Sequence, residues 1–183
     1  MFRFIAFLRA INAGRGRTVK MQVLRGVFQS LGFSKVATFV ASGNVMFETI
    51  TKKTNALETK IEKALHEALG YEVRTFIRGE AELTKIASYR PFPQSKLGRN
   101  WHCNIIFLAN NLTPTLKRNV KALRTNTDAF EVRGREIYWL RRTKNGALFS
   151  TVPLEKILGR AFTVRGANTI KGIASKWCSP EIC

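Results

Sequence analysis

The first eight residues constrain the chain most. Phe2 to Leu8 reads FRFIAFL, with apolar residues on both alternating positions. Such a strand is buried on two faces, so it has to be central in a sheet that is covered on both sides. The segments after it are drawn from a short menu of elements. Lys20 to Leu31 places Met21, Leu24, Phe28 and Leu31 on one helical stripe, and Gly32 stops the helix. KVATFV and VMFET are strands joined through Ser42-Gly43-Asn44, which reads as a hairpin. Asn55 to Leu69 is a second amphipathic helix ended by Gly70; its charges alternate in sign, so its outer face reads as solvated. YEVRTFI is a fourth strand. The order βαββαβ is that of a ferredoxin-like plait.

A weaker copy of this order occupies the second half. Glu80 to Ser88 reads as a short helix, and YRPFPQSKLGRN as a loop or linker at about residues 89–100. CNIIFLA is then a strand, and Thr113-Pro114 opens a helix with a capping hydroxyl and a first-turn proline. AFEVRGREIYWLRR gives two strands around Gly134, LEKILG a short helix, and a last helix carries Ile170, Ile173, Ala174 and Trp177. The expectation is an α+β protein of two ferredoxin-like βαββαβ halves, residues 1–79 and 80–183, the second with an extra C-terminal helix.

The chain then resembles a known family, the domain-of-unknown-function family 1697, whose members are small bacterial proteins. The resemblance runs from residue 2 to about 177 and rests on three motifs. The strand-end pattern L-R-G-I-N-V-G-G stands here as Leu8-Arg9-Ala10-Ile11-Asn12-Ala13-Gly14-Arg15, with Lys20-Met21 after it. The pattern S-G-N-V-x-F stands as Ser42-Gly43-Asn44-Val45-Met46-Phe47. The late T-x-R-N-W-x-T stands as Thr163-Val164-Arg165-Gly166-Ala167-Asn168-Thr169. Three departures stand out. Ala10 replaces a glycine, Arg15 replaces another and adds a charge, and Gly166-Ala167 replaces an Asn-Trp pair. The resemblance implies a two-plait fold and supplies no reaction.

Charge is the strongest compositional signal. The formal net charge is +19. Like charges repel in the compact state, so this excess serves a partner or is tolerated by the fold. It is also uneven. Residues 1–47 hold seven Lys and Arg and no acid, residues 83–127 hold eight and no acid, and residues 48–82 hold seven of the twelve acids. Acid-free blocks favour a positive face.

Two functional readings arise. The first is a binding protein whose basic surface engages nucleic acid or another polyanion, through Arg15, Arg17, Lys117, Arg118, Lys121 and Arg124. Lys117, Lys121 and Arg124 fall on one face of the expected helix 115–124. The aromatic signature of RNA-recognition plaits is absent, and Phe2, Phe4 and Phe7 read as core, so contact would run to the nucleic-acid backbone. The second is a small enzyme or binder for a phosphorylated or carboxylated metabolite, with a cleft built from Arg9, Asn12, Ser42, Asn44 and Arg165.

The wider anion-binding or ligand-binding set is Arg9, Asn12, Gly14, Arg15, Arg17, Lys20, Ser42, Gly43, Asn44, Arg165, Asn168 and Thr169. The loop from Asn12 to Arg17 opens on a helix N-terminus, where amides and arginines hold anions. It has neither a P-loop nor a dinucleotide fingerprint. The plain alternatives are a solvated turn there, a hairpin turn at Ser42 to Asn44, and a capping Thr163 with a surface Arg165.

Chemistry for catalysis is thin. The chain has two histidines, His66 and His102, and three cysteines, Cys103, Cys178 and Cys183, at spacings that match no common zinc site. No nucleophile elbow and no paired carboxylate motif is present. No metal and no cofactor is expected, and no reaction is assigned. Few, distant cysteines fit a reducing cytoplasm, and FIAFL, closed by Arg9, is too short for a signal or membrane segment.

Overall fold

In a computed structural model of the protein, the described residues are 1–12, 18–93, 100–142, 151–159 and 161–178. The chain divides into two compact units, residues 1–87 with 172–183, and residues 88–171. The helix after the fourth strand thus falls with the first unit, as does the end of the last helix.

The first unit is a plait. Its elements are β1 (Phe2–Leu8), α1 (Met21–Ser30), β2 (Ser34–Thr38), β3 (Asn44–Thr49), α2 (Thr54–Leu69), β4 (Thr75–Gly79) and α3 (Glu80–Ser88). The sheet order is β2-β3-β1-β4, antiparallel throughout, so β1 is central as its two-sided apolar pattern requires. Phe4, Ala6 and Leu8 join Val45, Phe47 and Ile77 beneath the buried helix stripes Leu24, Phe28 and Leu57, Ile61, Leu65. Phe47 is the hub, with ring centroids 4.6 Å from Phe33, 5.4 Å from Phe28 and 5.9 Å from Phe4. The opposite parity, Ile5, Phe7, Met46, Phe76 and Arg78, is buried as well. The sheet therefore has no open platform of the kind on which RNA-recognition plaits stack bases.

The second unit repeats the plan. It contains β5 (Trp101–Leu108), α4 (Pro114–Ala122), β6 (Asp128–Arg133), β7 (Glu136–Arg142), α5 (Val152–Leu158) and β8 (Phe162–Gly166), with the sheet ordered β6-β7-β5-β8. Its core gathers Ile106, Leu108, Val120, Ile137, Trp139, Leu154 and Phe162. Thr113 caps α4 by accepting Leu116 N–H at 3.2 Å, with Pro114 in the first turn, as the sequence indicates. The last helix, α6 (Ala167–Trp177), completes the fold. The protein is thus α+β, two ferredoxin-like halves with a C-terminal helix.

Three elements differ from expectation. β4 begins at Thr75 rather than Tyr71, whereas β2 and β3 form the expected antiparallel hairpin, joined by residues 39–43. β8 is a strand where a cap and a surface arginine were the plain alternative: Thr163 pairs with Phe107, and Arg165 is 9% exposed. Finally, the outer face of α2 is not simply solvated. Glu62 accepts Thr75 N–H and Glu58 accepts Ile77 N–H, each at 2.8 Å, and Glu82 accepts Gly79 N–H at 3.0 Å. β4 is an edge strand, and residues 75, 77 and 79 are those that turn away from β1. Three carboxylates therefore close an edge that would otherwise template aggregation.

Glu58→Ala and Glu62→Ala are each expected to cost about 1–3 kcal/mol, because each leaves a buried strand amide without an acceptor. Glu67→Ala, which loses only an exposed 4.0 Å pair with Lys63, is expected to stay within about 0.5 kcal/mol. Urea unfolding of the three variants checks the order.

Candidate functional site

The first two family motifs meet in one corner of the first unit. After β1 the chain reverses through Ala10 and Asn12, at φ 59° and 55°. Asn12 then acts as a clasp. Its amide donates to Val19 O at 3.0 Å and Ala41 O at 3.1 Å, and its Oδ1 accepts Val19 N–H at 2.7 Å. One side chain so joins Asn12 to Val19 and both to the 39–43 connection. Asn44 does the reciprocal work from β3. It is fully buried, and its amide donates to Phe39 O at 2.9 Å and Ser42 Oγ at 3.0 Å.

Gly43, in the second motif, has φ 69°, and its carbonyl accepts Leu8 N–H of the first motif at 2.8 Å. A Cβ there would sit 2.8 Å from Ile11 Cβ and 3.1 Å from Leu8 Cβ. Glycine is required by both conformation and space. Val40 adds another left-handed residue, at φ 49° and 56% exposed. A β-branched residue held there is strained, and such strain concentrates where a surface is shaped for a task.

Cations border this corner. Arg9 is half-buried, and its N–H donates to Arg74 O at 2.8 Å. Lys20 is exposed at the N-cap of α1, whose first turn holds no acid, so the positive helix end there is uncompensated. Arg25 donates to Thr38 Oγ1 at 3.1 Å. Gly14, Arg15 and Arg17 lie outside the described residues.

The third motif belongs to the second unit. Arg165 on β8 donates Nη1 to Thr163 Oγ1 at 2.9 Å and Val164 O at 2.7 Å. Burial pulls its guanidinium down to about 10. Asn168 is exposed and Thr169 half-buried in the first turn of α6. Arg165 has a counterpart that sequence reasoning missed. Arg78 is the second-last residue of β4 as Arg165 is of β8, each opposite an isoleucine of its plait's first strand, Ile5 and Ile105. Arg78 is fully buried, and its Nη1 donates to Ile77 O at 2.8 Å. The signal was present: FIRGEAELTKIA from Phe76 and TVRGANTIKGIA from Thr163 align without a gap, down to the buried pairs Leu83, Ile86 and Ile170, Ile173.

On α4, Arg118 is exposed and reaches Thr115 Oγ1 at 3.4 Å, and Lys117 is half-buried. Lys121 pairs with Glu131 at 3.2 Å. Arg124 is exposed but lies beyond the helix, which ends at Ala122, so the expected single helical face with Lys117 and Lys121 is interrupted.

Nucleophiles are sparse. Cys103 and Cys178 are free thiols. Burial pushes Cys103 up to about 11, partly offset by Lys171 and Arg90, and burial also raises Cys178. A thiol so shifted is a poor nucleophile at neutral pH. His66 and His102 are both exposed, and among the described residues no three His, Cys, Asp or Glu side chains gather as metal ligands. A shallow groove on the first unit, lined by Glu62, His66, Glu72 and Arg74 among others, contains none of the motif residues.

Two ferredoxin-like plaits, with two of the family motifs joined in one corner of the first, define the class: a double-plait α+β protein. The chain belongs to the domain-of-unknown-function family 1697, described as proteins of unknown function, whose model matches residues 1–138. The third motif lies beyond that match. Among solved structures the chain is similar to a conserved bacterial protein from Streptococcus pneumoniae, with a TM-score of 0.77 and 21% identity over 98% of this chain and 99% of that one. That likeness establishes a shared fold. No curated protein matches.

Two opposite substitutions test the corner. Gly43→Ala is expected to cost about 2–4 kcal/mol through overpacking and left-handed strain. Ala10→Gly, which restores the family's residue at φ 59°, is expected to raise stability by about 0.5–1 kcal/mol, strain relief outweighing glycine's entropy. Denaturant midpoints of the two variants read both signs.

Proposed function

We propose that the protein is a non-catalytic binder of nucleic acid or a related polyanion, through backbone phosphates rather than bases. The observation that carries this reading is the different placement of the two signs of charge. Many of the acids are engaged locally. Glu58, Glu62 and Glu82 take strand amides; Glu48 and Glu80 hold Arg3 at 3.5 and 3.0 Å; Asp128 accepts Trp139 Nε1–H at 2.7 Å. Exposed cations such as Lys20, Lys53, Arg118, Arg124, Arg142 and Lys171 project from the surface instead. α1, α2, α4 and α6 also begin without an acid in their first turns, so their positive ends add to the field.

Backbone contact fits the closed sheet face of the first unit, which offers no stacking platform. Affinity is then mainly counterion release, with little sequence preference. A cytoplasmic setting belongs to this reading, supported by the free thiols of Cys103 and Cys178. Among the described residues, no helix is long and apolar enough to cross a membrane. The alternative, a small enzyme or binder acting on a phosphorylated or carboxylated metabolite, draws less support. The amides of Asn12 and Asn44 are engaged with backbone carbonyls, and no activated nucleophile stands beside them.

Fluorescence anisotropy with random-sequence duplex and single-stranded oligonucleotides, across a salt series, tests the proposal. Expected is binding at low salt that weakens by about 0.9 log units per log salt for each duplex phosphate neutralised. Arg118→Ala with Arg124→Ala should flatten that slope by about two. No binding at low salt removes the reading.

A further inference from the structure

The two plaits treat their last strand differently, and the difference points outward. In the first unit the outward amides of β4 are closed by Glu62, Glu58 and Glu82. In the second unit Leu108 N–H turns to Arg135 O on the β7 side at 2.9 Å, so Phe107 and Ile105 turn to β8. Their partners Thr163 and Arg165 face inward, and Phe162, Val164 and Gly166 turn their N–H groups outward. Among the described residues no acceptor meets these three.

Among the described residues these carboxylates have no counterparts beside β8. Glu62 precedes Thr75 by 13 residues, Glu58 precedes Ile77 by 19, and Glu82 follows Gly79 by three. The same steps from Phe162, Val164 and Gly166 reach Phe149, Asn145 and Thr169. Between residues 143 and 171 the single acid is Glu155, which accepts Thr151 Oγ1–H at 3.0 Å. Phe162 is buried, whereas Val164 and Gly166 are half-buried and present the approachable donors.

We propose that the outer edge of β8 is a strand-addition site for an extended acidic segment of a partner protein. Main-chain carbonyls of that segment would accept from Val164 and Gly166, in the manner of β-augmentation. Its carboxylates would meet the exposed Lys156 and Lys171 on the adjoining helices, and the +19 field would steer it in. The same field disfavours a second copy of this chain as the occupant. In effect the partner supplies the carboxylates that α2 and α3 supply to β4.

The test uses the whole chain and three synthetic heptapeptides: an alternating Glu-Val peptide, its Lys-Val counterpart, and the Glu-Val peptide with every amide N-methylated, so that neither of its edges can pair with a strand. Amide hydrogen exchange is read by NMR. The Glu-Val peptide is expected to slow exchange at Val164 and Gly166 by about tenfold or more. The other two peptides and duplex DNA are expected to leave both amides unchanged, which separates this site from the polyanion surface. Val164→Pro removes the outward donor together with a side chain packed on the second core, and it should abolish the peptide effect at Gly166 while oligonucleotide binding persists. If that variant does not fold, the N-methylated peptide decides alone. Unchanged exchange with the Glu-Val peptide overturns the proposal, as does equal protection by all three peptides. A concentration-dependent dimer in which these amides are protected overturns it in favour of self-pairing.

Discussion

The first unit depends on β1 being buried on both faces. One parity of that strand meets α1 and α2, and the other, Ile5 and Phe7, is as fully excluded from water. Burial of a large aliphatic or aromatic side chain contributes roughly 1.5–3 kcal/mol, so the strand commits the sheet to a closed position. This has two consequences for function. The sheet face of the first unit is closed, so the proposed polyanion contact falls to helix ends and outward cations. The strand's exit also has to be tight, because Leu8 and Ile11 pack directly on Gly43, and this brings the first two family motifs into one corner.

Charge is arranged around that commitment. Acids of the 48–82 segment are concentrated where strand amides need acceptors, along β4, and where Arg3 stacks 4.5 Å over Trp177. A carboxylate that accepts a backbone N–H is local in its effect and does little to offset cations elsewhere on the surface. The surplus positive charge then opposes the compact state. The proposed polyanion binding draws on this surplus and on four helix starts that lack an acid. The same logic carries the β8 edge, where the second plait lacks the acids that the first provides.

Much of the fold was legible because periodicity is a strong signal. FRFIAFL announced a central strand, Gly32 and Gly70 ended helices at φ 80° and 75°, and Thr113-Pro114 announced a cap. The hidden parts have physical reasons. β8 is five residues long and carries Arg165, and an arginine in a short polar-flanked run looks like surface until its burial is seen. Glu58 and Glu62 have the same spacing as any solvated helix face, and only the position of β4 shows that they point to an edge. Asn12 and Gly43 were singled out by motif. That one is a clasp and the other a contact point depends on neighbours far along the chain, which local sequence does not reveal.

The uncompensated charge opposes folding, and the proposed polyanion would relieve it. Thermal unfolding tests this directly. The melting temperature is measured from about 0.02 M to about 0.3 M salt, and again at fixed ionic strength with a short duplex DNA. The account predicts that salt alone raises the melting temperature by screening repulsion. At low salt the duplex should raise it further, by about 2–4 °C for each kcal/mol of preferential binding to the folded state. A melting temperature that falls or stays flat with salt, and does not respond to the duplex, contradicts it.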